Sequence, residues 1–165
     1  MTSPHDAPPP QAPSPTSEDL GLVDALAQLS FLVQNTLAEI AGQHDLSVTQ
    51  TRLLGILRDR EPTMNQLGRH LGLDKSSITG LVDRAQRRGL VTRTTSAIDR
   101  RSFQVSITDA GRQLVEQVAA QFAEQIERSA APLTETDRKR LSRLATRIVT
   151  ADAHGRGIDL RTTPR

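Results

Sequence analysis

Residues 74–111 read DKSSITGLVDRAQRRGLVTRTTSAIDRRSFQVSITDAG, and within them the pattern of apolar residues changes period. Ile78, Leu81, Val82 and Ala85 recur at helical spacing, Asp74 stands where an N-cap belongs, and Gly89 supplies a stop. The spacing therefore predicts a helix over 75–88. The chain then turns β-prone at LVTRTT, becomes polar at SAIDRRS, and alternates strictly at FQVSI, which puts Phe103, Val105 and Ile107 on one face. Two β-prone runs around a polar connection predict a hairpin with a basic tip. At about 100° per residue, Ser76, Gly80, Asp83, Arg84 and Arg87 fall opposite the apolar side of the helix.

Working outward, the same signals divide the rest of the chain into helices. Upstream, Thr63-x-x-Gln66 is a capping-box pattern opening a short helix, MNQLGRHL, which ends at the Gly72 turn. Before it, Ser47-x-x-Gln50 opens a helix through Leu53, Leu54, Ile56 and Leu57 that should end before Pro62. A first long helix is marked by Leu22, Leu26, Leu29, Val33, Leu37 and Ile40 and closed by Gly42. Val23, Ala27, Ser30 and Phe31 widen its stripe, as burial on more than one side would require. Downstream, Thr108 caps a fifth helix through Leu114, Val118, Phe122 and Ile126, and Thr134-x-x-Asp137 opens a sixth through Leu141, Leu144, Ile148 and Val149. Residues 1–16 are Pro-, Ser- and Ala-rich and read as a disordered tail, and 151–165 as a flexible one.

Composition narrows the function classes. Apolar residues are 36% and charged residues 24%, and no window approaches the roughly 18 consecutive apolar residues of a spanning helix. No charged stretch leads into an apolar run at the N-terminus, so no secretory signal is expected and the cytoplasm is the default; no helix reads as both basic and amphipathic, so no membrane partner is expected either. The absence of Cys excludes disulfides, thiolate zinc sites and thiol redox switches. Three Phe with no Tyr or Trp give single-stranded nucleic acid little to stack on. His5, His44, His70 and His154 are scattered, and no HExxH, Walker loop or GxGxxG occurs, so no enzyme, metal or cofactor is expected. His44, at the junction of the first two helices, lines an effector pocket or, more commonly for such a residue, sits satisfied at the surface. Net charge is only +2, but from Arg69 to Arg101 eight Lys or Arg stand against three Asp or Glu, a local +5. The positive charge is gathered where a phosphate-binding surface would need it.

A short helix, a glycine turn, a second helix and a basic hairpin define a winged helix-turn-helix. The expected fold is mainly α with a small β-hairpin wing: a DNA-binding lobe over about 47–108 and dimerisation helices over about 18–41 and 109–150, within a domain spanning 17–150. The major groove of B-DNA admits one helix, and a hairpin beside it can reach the adjacent minor groove. Ser76, Ser77, Thr79, Gly80, Arg84 and Arg87 are the expected recognition-helix contacts: small residues permit deep entry, hydroxyls bond phosphates or base edges, and Arg reads guanine or phosphate. Arg100 and Arg101 are the expected wing contacts, because adjacent Arg on a loop gain little without an anion and a narrow minor groove supplies one. Asp99 is placed to hold Arg101. Such a helix face is as readily a solvated surface when taken alone, and the helix before it and the hairpin after it decide the reading. The competing assignment is a winged-helix module for protein–protein contact, for which a basic wing tip has no purpose.

Residues 74–111 also resemble the MarR-type regulators. RRGL at 87–90 is similar to the family's basic-Gly-Leu turn, Asp99-x-Arg101 to its wing motif, and Ile107, Thr108 and Gly111 to its apolar-Thr-x-x-Gly strand end; with the helix order, the resemblance covers roughly 18–150. It implies an obligate homodimer paired through the first, fifth and sixth helices. It also implies a pseudo-palindromic duplex operator and, as in many members, repression released by a small anionic or phenolic effector bound between the two lobes. It assigns Arg101 to the minor groove with Asp99 positioning it, and Ser76, Ser77 and Gly80 to the major groove. Some relatives carry a base-reading Arg at the position of Gly80, which leaves Arg84 or Arg87 to supply that contact here. The peroxide-sensing branch needs a Cys and the urate-responsive one a Trp, and this chain has neither.

Overall fold

A computed structural model describes residues 19–95 and 103–157. In chain order they form α1 (Gly21–Gln43), α2 (Val48–Asp59), α3 (Met64–Leu71), α4 (Lys75–Arg87), β1 (Val91–Thr95), β2 (Phe103–Ile107), α5 (Asp109–Ser129) and α6 (Glu135–Gly155). This is the winged helix-turn-helix architecture with long flanking helices that the sequence predicts.

The caps explain where the elements start. Ser47 and Thr63 each form a full capping box with Gln50 and Gln66. Asp74, Thr108 and Thr134 each accept from the third backbone N–H of the helix they open. Each satisfies a donor that the helix itself leaves orphaned. Gly72 and Gly89 end α3 and the turn after α4 with φ of 66° and 69°, the left-handed conformation that glycine adopts without steric penalty.

The β-strands pair antiparallel in the register Val91↔Ile107, Arg93↔Val105 and Thr95↔Phe103. Val105 is fully buried, Ile107 partly so and Phe103 exposed, so the shared apolar face leaves the core as the hairpin extends. The α2–α3 connection adds a third edge, which the sequence does not announce. The Val105 N–H donates to the Pro62 carbonyl at 3.0 Å, and Thr63 bridges to Gln104. Proline lacks an N–H but keeps its acceptor, and that acceptor is the group used here.

One continuous core runs from Ile40 and Ala41 at the end of α1 through Leu53, Leu54, Leu57, Leu67, Val82, Val91 and Val105 to Val115 and Val118 on α5. The two expected lobes therefore share a core. The N-terminal part of α1 and most of α6 do not enter it: Leu22, Val23, Leu26, Leu29, Phe31 and Leu32 are exposed, as are Leu141, Leu144, Ile148 and Val149. Of the tail expected from 151, residues 151–155 are helical, because α6 continues to Gly155, and 158–165 lie outside the described residues. Alanines at 151 and 153 favour helix, and an Arg156–Asp152 ion pair at 3.0 Å spans the last turn. No helix among the described residues is long and apolar enough to cross a membrane.

Candidate nucleic-acid interface

The α4 helix buries Ile78, Leu81, Val82 and Ala85 against the core and turns its other side outward. Ser76, Ser77, Thr79, Arg84 and Arg87 are all exposed and Gly80 is half-buried. The structure thus brings the six expected recognition-helix residues onto one presentable surface. Asp99, Arg100 and Arg101 lie outside the described residues.

The hydroxyls are already engaged. Ser76 Oγ donates to Asp74 Oδ1 at 2.6 Å, and Ser77 Oγ donates to Asp74 Oδ2 at 2.9 Å. Ser77 N–H donates to Oδ1 at 2.8 Å, while Thr79 Oγ1 donates back to the Lys75 carbonyl at 2.7 Å. The Ser76 hydroxyl, then the N–H and hydroxyl of Ser77, hold the Asp74 carboxyl well below the usual carboxylate range. Asp74 is therefore ionised at neutral pH. With their protons committed, the serine oxygens present lone pairs outward, which suit amino groups on base edges better than phosphate oxygens.

Gly80 and Arg84 form a unit one turn apart. A Cβ built on Gly80 would lie 3.3 Å from a terminal nitrogen of Arg84, so the guanidinium folds back over the bare backbone of Gly80. Neither Arg84 nor Arg87 is held in an ion pair among the described residues. An open hollow of about 420 Å³ lies in front, lined by Ser47, Thr49, Ser76, Ser77, Gly80 and Arg84. It sits between the starts of α2 and α4, where helix dipoles add positive potential to that of Arg84.

Arg93 on β1 is a positioning residue that sequence reasoning missed. One terminal nitrogen donates both to Asp83 Oδ1 and, at 3.3 Å, to the Thr79 carbonyl. Asp83 faces outward by helical spacing, but the structure turns its carboxylate to the wing. The pair fixes the base of the hairpin to the exposed flank of α4. No local sequence pattern marks it, because Asp83 lies ten residues away.

Below the wing, α5 seats directly on the turn after α4. Thr108 N–H donates to the Leu90 carbonyl at 3.0 Å, and Thr108 Oγ1 to the Gly89 carbonyl at 2.7 Å. A Cβ on Gly111 would lie 2.1 Å from the Leu90 oxygen. The Thr-x-x-Gly spacing is thus a steric requirement of this junction. His44 is half-buried, with its Nε2 2.9 Å from Gln121 Oε1 on α5. No cluster of three or more His, Cys, Asp or Glu suited to a metal occurs among the described residues.

Comparison with known proteins agrees with this geometry. The MarR family profile matches residues 44–102, from the α1–α2 corner to the residue before β2. The HTH-type transcriptional regulator PecS of Dickeya dadantii (strain 3937) is 25% identical over 135 residues, covering 79% of this chain and 81% of PecS. The HTH-type transcriptional repressor IacR of Pseudomonas putida is 36% identical over 101 residues, covering 61% of this chain and 60% of IacR. Among solved structures, a complex of S. aureus MepR with DNA superposes with a TM-score of 0.66 at 20% identity, covering 81% of this chain and 99% of MepR. Profile, relatives and fold converge with the Gly-Leu turn and the Thr-x-x-Gly junction: residues 44–102 match the MarR family, and the chain as a whole is similar to winged helix-turn-helix transcriptional regulators.

Proposed function

We propose that this regulator binds a specific pseudo-palindromic duplex operator as a homodimer, and that it represses transcription from the cytoplasm until a small effector releases it. The observation that carries the reading is the outward face of α4, where Arg84 overlies Gly80 beside a hollow flanked by two helix starts. In this reading Arg84 supplies the guanine contact that a longer residue at position 80 would otherwise make. Arg87 meets the backbone, and Ser76 and Ser77 accept from base amino groups. Thr79 lies at the flank of the contact. Arg100 and Arg101 reach the minor groove, with Asp99 orienting Arg101, on the strength of the motif.

The unburied apolar faces of α1 and α6 support a homodimer, since a lone chain leaves them to water. A two-fold dimer places its recognition helices about 34 Å apart, which sets the half-site spacing. An effector works only by binding two states with different affinity. The cleft of about 320 Å³ between α1 and α5 carries Glu39 and Glu124, and the Glu124 carboxylate lies 3.8 Å from Arg128. It does not favour an anion, so the anionic or phenolic class rests on the family resemblance.

The test is fluorescence anisotropy on duplex tiles from upstream of the protein's own gene, with Arg101→Ala in parallel and salt varied. Saturable binding to one tile, a steep salt slope, and a loss of about 1–3 kcal/mol in the variant are expected. Uniformly weak binding, unchanged by the substitution, would leave the fold serving protein contact instead.

A further inference from the structure

Arg88 is the second of two adjacent arginines at the end of α4, and the structure separates their roles. Arg87 points to solvent. Arg88 reaches across 43 residues of sequence to the α1–α2 corner, where one terminal nitrogen donates to the Asp45 carbonyl at 2.6 Å and the other to the His44 carbonyl at 3.3 Å. These carbonyls lie just past the end of α1, where the helix leaves acceptors unsatisfied and a cation is favoured.

The corner is built to offer them. Leu46 N–H returns to the Ala41 carbonyl at 2.9 Å and Asp45 N–H to the Gly42 carbonyl at 3.1 Å, so the chain closes α1 with a left-handed residue. That residue is Asp45, with φ of 55°, the one non-glycine residue with positive φ among those described. On its other side the corner is held by α5, through the contact of the His44 ring with Gln121. The corner therefore touches α1 and α5 at one end and the C-terminus of the recognition helix at the other.

We infer that Arg88 is the positioning residue that sets the angle of the recognition helix against the dimerisation helices, and hence the half-site spacing the dimer accepts. This rests on the DNA-binding, homodimeric reading above. Ile40, Ala41 and Leu46 share one apolar core with Ile78, Leu81, Val82 and Ala85 of α4, and such packing is non-directional and tolerates rolling of one helix against another. A planar guanidinium on two successive carbonyls has a fixed direction and resists it. Over its 23 residues α1 is about 34 Å long. A small rotation of that lever against a partner subunit is passed through the corner to α4.

Two measurements test the inference, and the first needs no DNA. The chain has no Cys, so Gln86→Cys, on an exposed site of α4 beside the DNA-facing stripe, places one spin label per subunit. Pulsed dipolar spectroscopy then reads the distance between the two recognition helices. Arg88→Ala is expected to broaden or shift a narrow distribution, and Arg88→Lys, which reaches one carbonyl but not both, to fall between.

In parallel, affinity is measured on the bound operator tile, on versions with one base pair added or removed between half-sites (a change of about 3.4 Å), and on a single half-site. The preference for native spacing should fall roughly ten-fold in Arg88→Ala, the scale on which single residues alter coupling, while half-site affinity holds. An unchanged label distance, or an equal loss on every duplex, overturns the inference. If Arg88→Ala does not fold, Arg88→Lys and Arg88→Gln decide by the same two readouts. If wild type binds no tile selectively, the DNA-binding reading fails while the label distance still decides whether Arg88 sets the helix angle.

Discussion

On the proposed reading, Gly80 is where stability and recognition oppose each other. A glycine inside a helix costs about 0.5–1 kcal/mol relative to alanine, and the space above this one is met only by the flexible end of Arg84. Gly80→Ala should therefore raise stability by roughly that amount in urea denaturation. It should also weaken operator binding, because the new methyl group displaces the guanidinium that overlies it. Higher stability with unchanged affinity would show that Arg84 does not read DNA from that position. Asp74 makes a prediction of a different kind. Its carboxyl is held below its ordinary value, so the unfolded chain binds a proton before the folded one does as pH falls. The stability it contributes is present above about pH 4 and is lost as pH drops from there toward the lowered folded value. Asp74→Asn should melt below wild type at pH 7, and thermal melts should show that gap closing on acidification. A gap constant down to pH 2.5 would mean that the charge contributes nothing to the cap.

At the scale of the element, the junction of α5 with the turn after α4 is the least tolerant place in the fold. The backbone of Gly111 meets the Leu90 carbonyl, and a carbonyl cannot rotate away as a side chain would. Gly111→Ala should cost about 1–3 kcal/mol, the range for overpacking a well-packed site, read as a lower denaturation midpoint with an unchanged slope. An unaltered midpoint would mean that α5 can shift freely against the wing. The caps that start α2 to α6 were legible in the sequence because capping is local: Ser47, Thr63, Asp74, Thr108 and Thr134 each act on a backbone group three residues away. The exposed face of α4 was legible for the same reason. Arg93 on Asp83, Val105 on the Pro62 carbonyl and Arg88 on the α1–α2 corner were not, because each joins segments at least ten residues apart and no local pattern marks such a pair. The end of α6 was misplaced because ADAHGRG is polar and glycine-bearing, while its helix is held by alanine propensity and by Arg156 on Asp152.

For the whole molecule, the decisive feature is apolar surface that one chain cannot bury. Residues 139–152 of α6 are all exposed, and Leu141, Leu144, Ile148 and Val149 lie among them, while the first half of α1 presents a second such face. Ile148 is 55% exposed and Val23 78%, values that suit an interface better than a monomer surface. The core that holds the DNA-facing elements takes its buried residues from α1 only at the C-terminal end and from α5 only in the first half, so pairing of the outer helices can be broken without unfolding the winged lobe. Ile148→Glu combined with Leu144→Glu should therefore convert the protein to monomer in sedimentation equilibrium while circular dichroism keeps its helical signal. Wild type should also melt at a temperature that rises with protein concentration, and the double variant should not. On DNA the variant should hold a single half-site about as well as wild type but lose the added affinity of engaging both, a loss on the order of 10²-fold or more. A variant that stays dimeric would place the two-fold axis elsewhere, and the half-site spacing would then have to be derived from a different pair of faces.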